Sequence, residues 1–139
     1  ISMSLTIHTD GGSLNNPGQA AIGFLIHQQG VLIHTHSEAI GIASNNVAEY
    51  TALIRALEYV NVHKNSFSLP VDMVEIVADS ELMVKQMQGK YRVKNADLKP
   101  LFTRASELAE QTEVPVSFRH VLRHENSDAD RLVKQALGR

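Results

Sequence analysis

The chain has no cysteine, which rules out disulfides and thiolate-bound zinc and leaves carboxylates and histidines to hold any metal. Such donors favour hard cations, Mg²⁺ or Mn²⁺. No run approaches the roughly 18 apolar residues that a membrane helix needs, and the N-terminus lacks a basic-then-apolar leader. A soluble, cytoplasmic protein with no membrane partner is expected. Lysine and arginine are absent from residues 1–54. The net charge of −2 argues weakly against a nucleic-acid ligand, yet Lys85, Lys90, Arg92, Lys94, Lys99 and Arg104 cluster around a single acid, Asp97. A local basic patch matters more than the total when phosphates are the partner, although a solvated helix face is the commoner meaning of such a run.

At 139 residues, 43% hydrophobic and 20% charged, the composition suits one globular domain, residues 1–139, with a substantial core. Residues 4–9 alternate, Leu5 and Ile7 against Thr6 and His8, which predicts a half-buried strand ending at Asp10. Residues 21–27 and 31–40 are apolar or β-branched runs joined by Gln28, Gln29 and Gly30, a connection of hairpin type. Asn45 or Asn46 is placed to cap a helix running to about His63, and residues 71–78 form a nearly all-apolar strand after Pro70. Helices at 80–88 and 98–110, a strand at 116–122 and a closing helix at 128–137 complete the chain. The fold class is α/β: a five-stranded mixed sheet, three antiparallel strands and then two parallel ones, flanked by helices.

Four acids fall where packing alone does not want them. Asp10 heads the glycine-rich run Gly11, Gly12, Ser13, although an Asp before Gly is also an ordinary turn residue. Glu49 shares its helical face with Ala52, Leu53, Ala56 and Val60, so it must be paired, protonated or metal-bound unless it merely caps the first turn. Asp79 follows an apolar strand, at the end where ligand sites of α/β sheets gather, or else serves with Ser80 as a helix cap. Asp130 shares a face with Val133 and Leu137 and is aimed at the sheet, whereas Asp128 suits an N-terminal cap. Four converging acids repel one another unless cations join them; two divalent ions about 3.5–4 Å apart would serve phosphodiester hydrolysis, and a single-ion site is the less demanding alternative.

In order and spacing, Thr9–Ser13 with Asn16–Gly18, then 45–50, then 79–87, then 93–98, and last Asn126 with 129–132, resemble the type 1 ribonuclease H family over nearly the whole chain. The resemblance implies the ribonuclease H-like fold and endonucleolytic cleavage of the RNA strand of an RNA–DNA hybrid. It implies two Mg²⁺ ions, with Mn²⁺ as substitute, on Asp10, Glu49, Asp79 and Asp130, and a monomeric enzyme. It also implies that Gly11, Gly12, Ser13 and Asn46 meet the RNA strand and its 2′-hydroxyls, and that Asn16, Ser44 and Asn95 hold the DNA strand, the last two in a phosphate pocket. Turn and cap chemistry is the alternative for those three. The long tryptophan-bearing basic protrusion of bacterial members is missing; residues 89–93 take its place and the chain has no tryptophan, as in shorter archaeal-type relatives. His124 is a candidate for product release by position alone. An inactive nucleic-acid-binding domain and a related metal-dependent DNA nuclease are the competing readings.

Overall fold

The computed structural model of the chain describes residues 3–67 and 70–139. Five strands form one sheet: β1 (Met3–Ser13), β2 (Gly18–Gln28), β3 (Val31–Ala43), β4 (Val71–Ala78) and β5 (Val116–His120), in the order β3-β2-β1-β4-β5. β1 pairs antiparallel with β2 and β2 with β3, while β4 runs parallel to β1 and β5 to β4. The helices are α1 (Asn45–His63), α2 (Glu81–Met87), α3 (Lys99–Gln111) and α4 (Ser127–Ala136), with a 3-10 turn (Arg123–Asn126) before the last. The mixed α/β sheet expected from the alternating and apolar runs is therefore present. No helix among the described residues is long and apolar enough to cross a membrane.

The period-2 pattern of β1 works as expected: Met3, Leu5 and Ile7 are buried, and Ser4, Thr6 and His8 only partly so. Leu5, Ile7, Ile26, Val74 and Ile76 meet Leu53, Leu57 and Val60 of α1 in the main core. Burial of each such side chain stabilises the fold by about 1.5–3 kcal/mol. α3 closes over α1 with Ala105 and Leu108, and α4 packs on β2 through Ala129. Gly23 permits that last contact, because a Cβ there would stand 2.6 Å from the Leu132 Cβ and 2.9 Å from the Ala129 carbonyl oxygen.

Four local expectations are corrected. β1 does not end at Asp10; it continues through Gly11 and Gly12 to Ser13, because β2 goes on supplying partners from Gly23 to Ala20. The cap of α1 is neither Asn45 nor Asn46 but Ser44, whose Oγ accepts from Val47 N at 3.2 Å. Asp128 caps nothing: Asn126 precedes α4 without a side-chain cap bond, and Asp128 pairs instead with Arg131 at 3.2 Å. The last strand also stops two residues early, at His120, where the chain turns toward α4.

Candidate active site

The site arises where two neighbouring strands part. Parallel pairing of β1 with β4 ends at Thr9 and Ala78, while antiparallel pairing of β1 with β2 continues from Asp10 and Gly23 to Ser13 and Ala20. β1 thus leans away from β4 just as each strand delivers an aspartate. The carbonyl of Thr9, at the parting point, accepts instead from Asn126 Nδ2 at 2.9 Å. Asn126 is buried and directly precedes α4, so one side chain ties the helix carrying Asp130 to the strand carrying Asp10.

Glu49 reaches this gap from the second turn of α1. Its Oε1 accepts from Gly11 N at 2.9 Å in a buried contact, and its α1 cap alternative falls away because Ser44 has that task. Helix and strand approach closely here: a Cβ on Gly11 would lie 2.4 Å from both the carbon and the oxygen of the Ala48 carbonyl. Asp79 follows the end of β4, and Ser80, not Asp79, caps α2 by accepting from Met83 N at 3.3 Å. Asp79 is left free to face the cavity.

Asp10, Glu49 and Asp79 each offer an oxygen within 4.8 Å of the others, the one such grouping among the described residues. Asp130 lines the same cavity, of about 380 Å³, but stands outside the tight group, with its Oδ2 2.9 Å from Lys134 Nζ. Burial, and then the charges of Asp79 and Asp130, push the Asp10 carboxyl up to about 8. Burial followed by the charges of Asp10 and Asp79 raises Glu49 well above its ordinary value. Asp79 is raised as well, chiefly by burial, with a hydrogen bond to Asp10 and the charge of Arg123 acting against that rise. Arg123 opposes the rise at all three acids and lines the cavity with them. Acceptor-only oxygens forced together in a partly desolvated cleft are the donor set of a hard divalent cation, and they fit it.

Other expected residues scatter around this centre. Gly11, Gly12 and Ser13 line the cavity along with Asn45. Asn45 Oδ1 accepts from Ser13 N at 2.9 Å and from Ser13 Oγ at 3.0 Å, and Asn45 N donates to Asn16 Oδ1 at 3.0 Å. Asn46 is exposed on the first turn of α1. Asn95, also exposed, folds its Oδ1 onto Asp97 N at 2.7 Å and Leu98 N at 3.2 Å, a turn leading into α3. His124 is exposed on the 3-10 turn and does not line the cavity. Within the basic segment Lys90, Arg92, Lys94 and Lys99 are exposed, whereas Lys85 pairs with Glu81 at 3.4 Å and lies 5.2 Å from the centre of the Tyr91 ring. Sequence patterning did not single out Asn45, Arg123 or Lys134 as residues of the site. Arg123 was signalled only by its place between the last strand and the helix of Asp130.

A family model for RNase H matches residues 2–138. LC11-RNase H1, isolated from compost by a metagenomic approach and solved in complex with an RNA/DNA hybrid, is 41% identical, superposes with a TM-score of 0.88 and is covered over 96% of both chains. RNase H1 of the halophilic archaeon Halobacterium salinarum is 36% identical, with a TM-score of 0.87 over 97% of this chain and 98% of that one. A bifunctional protein of Mycobacterium tuberculosis is 36% identical over 137 residues, which are 97% of this chain but 36% of that protein's length. The chain thus spans just over a third of the mycobacterial relative. With the match running through every strand and through all four acids, the chain belongs to the RNase H family.

Proposed function

We propose that this chain is a ribonuclease H that hydrolyses the RNA strand of RNA–DNA hybrids, leaving 5′-phosphate and 3′-hydroxyl ends. The observation that carries this reading is the convergence of Asp10, Glu49 and Asp79 at the parting of β1 and β4, in a chain of this family. Asp10, Glu49, Asp79 and Asp130 would hold two Mg²⁺ ions, or Mn²⁺ in their place. Such a pair, when bound, activates water and neutralises charge on the attacking and leaving oxygens of a phosphodiester. The chain's own groups do the rest. Gly11 N fixes the Glu49 carboxylate, Asn126 fixes the strand that presents Asp10, and Arg123 offsets the negative charge of the cluster.

The rim of Gly11, Gly12, Ser13 and Asn45, with Asn46 beside it, meets the RNA strand, whose 2′-hydroxyls distinguish it from DNA. Asn16, Ser44 and Asn95 hold the DNA strand, and Lys90, Arg92, Lys94 and Lys99 contact phosphates in place of a longer basic protrusion. His124, exposed next to Arg123, assists product release. All four acids come from one chain, which supports a single domain acting as a monomer, and the proposed setting is the cytoplasm. A silent binding module has no use for mutually repelling buried carboxylates. Labelled RNA–DNA hybrid, double-stranded RNA and double-stranded DNA incubated with Mg²⁺ or Mn²⁺ test the reading: the hybrid's RNA strand alone is cut. A hybrid left intact with both metals contradicts it.

A further inference from the structure

We propose that Lys134 is a built-in counterion which holds Asp130 in the cation-free protein, so that an ion using Asp130 binds only by displacing the lysine. This inference rests on the reading of the four acids as cation ligands and concerns how one of them is kept. Asp10, Glu49 and Asp79 gather their oxygens within 4.8 Å, but Asp130 is turned to Lys134, 2.9 Å from Nζ. The two residues lie one turn apart on α4, where an i, i+4 pair meets without strain. Lys134 also lines the cavity that holds the four acids, so its ammonium competes with a bound ion for the same oxygen from the same side.

The two side chains differ in freedom. Asp130 is 20% exposed and Lys134 52%, so the lysine leaves for solvent at little cost while the carboxylate stays. An exposed ion pair contributes about 0.2–1 kcal/mol, which as a competing interaction weakens the Asp130-dependent ion by up to about fivefold. Arg131, the next cation on the helix, pairs outward with Asp128 at 3.2 Å and is therefore a control for charge alone.

The test is an Mg²⁺ titration of the whole chain followed by the side-chain carboxyl carbon signals of Asp10, Asp79 and Asp130 in NMR. In Lys134→Met the Asp130 signal half-saturates at about 1.5- to fivefold lower Mg²⁺ than in the wild type, while Lys134→Arg restores the wild-type value and Arg131→Gln keeps it. An unchanged Asp130 midpoint in Lys134→Met, an Asp130 signal that ignores Mg²⁺, or an equal shift in Arg131→Gln overturns the inference. If Asp10 and Asp79 themselves fail to respond to Mg²⁺, the underlying site reading falls instead.

Discussion

Glu49 and Gly11 are joined by a 2.9 Å hydrogen bond from strand backbone to helix carboxylate, and the Gly11 Cα sits against the Ala48 carbonyl with no space for a methyl group. The distance between β1 and α1, and hence between Asp10 and Glu49, is set at this contact. Gly11→Ala should lower stability by about 1–3 kcal/mol, the usual cost of overpacking, and should also cut activity. Gly12→Ala has room, with nearest atoms at 3.9 Å, and should leave stability nearly unchanged. Chemical denaturation of both variants checks the contrast.

The raised carboxyls make the cation-free protein sensitive to pH. Asp10 moves from an ordinary value of 3.8 to about 8 on folding, so the folded chain holds a proton that the unfolded chain has lost. That contribution is complete below about pH 4 and disappears as pH rises through about 8. His8 and His34, both lowered by burial, act in the opposite sense and are lost as pH falls below their ordinary 6.5. Thermal melts in EDTA between about pH 7 and 9 keep clear of the lowered His8 and His34 and report on the acids. Stability should fall across that window, Asp10→Asn should flatten the fall and raise the melting temperature, and Mg²⁺ should restore the wild type.

Asn126 closes the hydrogen bond that Thr9 loses when β1 leaves β4. Asn126→Ala leaves a buried carbonyl unpaired and should cost about 1–3 kcal/mol. Because the same bond aligns Asp10, activity measured below the melting range should also drop by about 10–100-fold, the range typical of groups that orient metal ligands.

The exposed cations after α2 predict a salt effect. Neutralising Lys90, Arg92, Lys94 or Lys99 one at a time should weaken hybrid binding at any sequence and reduce the slope of log affinity against log salt by about one for each phosphate no longer neutralised. Arg104, which faces Glu58 at 3.9 Å, should change the slope less. Fluorescence anisotropy across a salt series separates the two.

Much of the fold and the site was legible in the chain because periodicity and mispatterned charge are local signals. The alternation of β1, the apolar face of α1 and the run before Asp79 located the strands, the core and three acids; Asp130 followed from its helical face. Strand length was not legible at Gly11 and Gly12, because two glycines that look like a turn pair with a strand that arrives later in the chain, and Gly11 serves a close helix approach. The roles of Asn45, Arg123 and Lys134 depend on contacts between distant segments or on one rotamer, and neither leaves a pattern in sequence. Ser44 Oγ and Asn95 Oδ1 accept the cap and turn bonds that were their alternative, so in the proposed complex the DNA strand is met by the Ser44 hydroxyl hydrogen and the Asn95 amide nitrogen.

In the proposed mechanism the carboxylate cluster works through divalent cations on an RNA–DNA hybrid. Cleavage of a 5′-labelled RNA in a hybrid, followed in single turnovers with Mg²⁺ and with EDTA for the wild type and Asp79→Asn, tests it most directly. The wild type should cut with Mg²⁺ and not in EDTA, and Asp79→Asn should not cut; cutting in EDTA, or cutting that survives Asp79→Asn, rules out a cation-dependent carboxylate site.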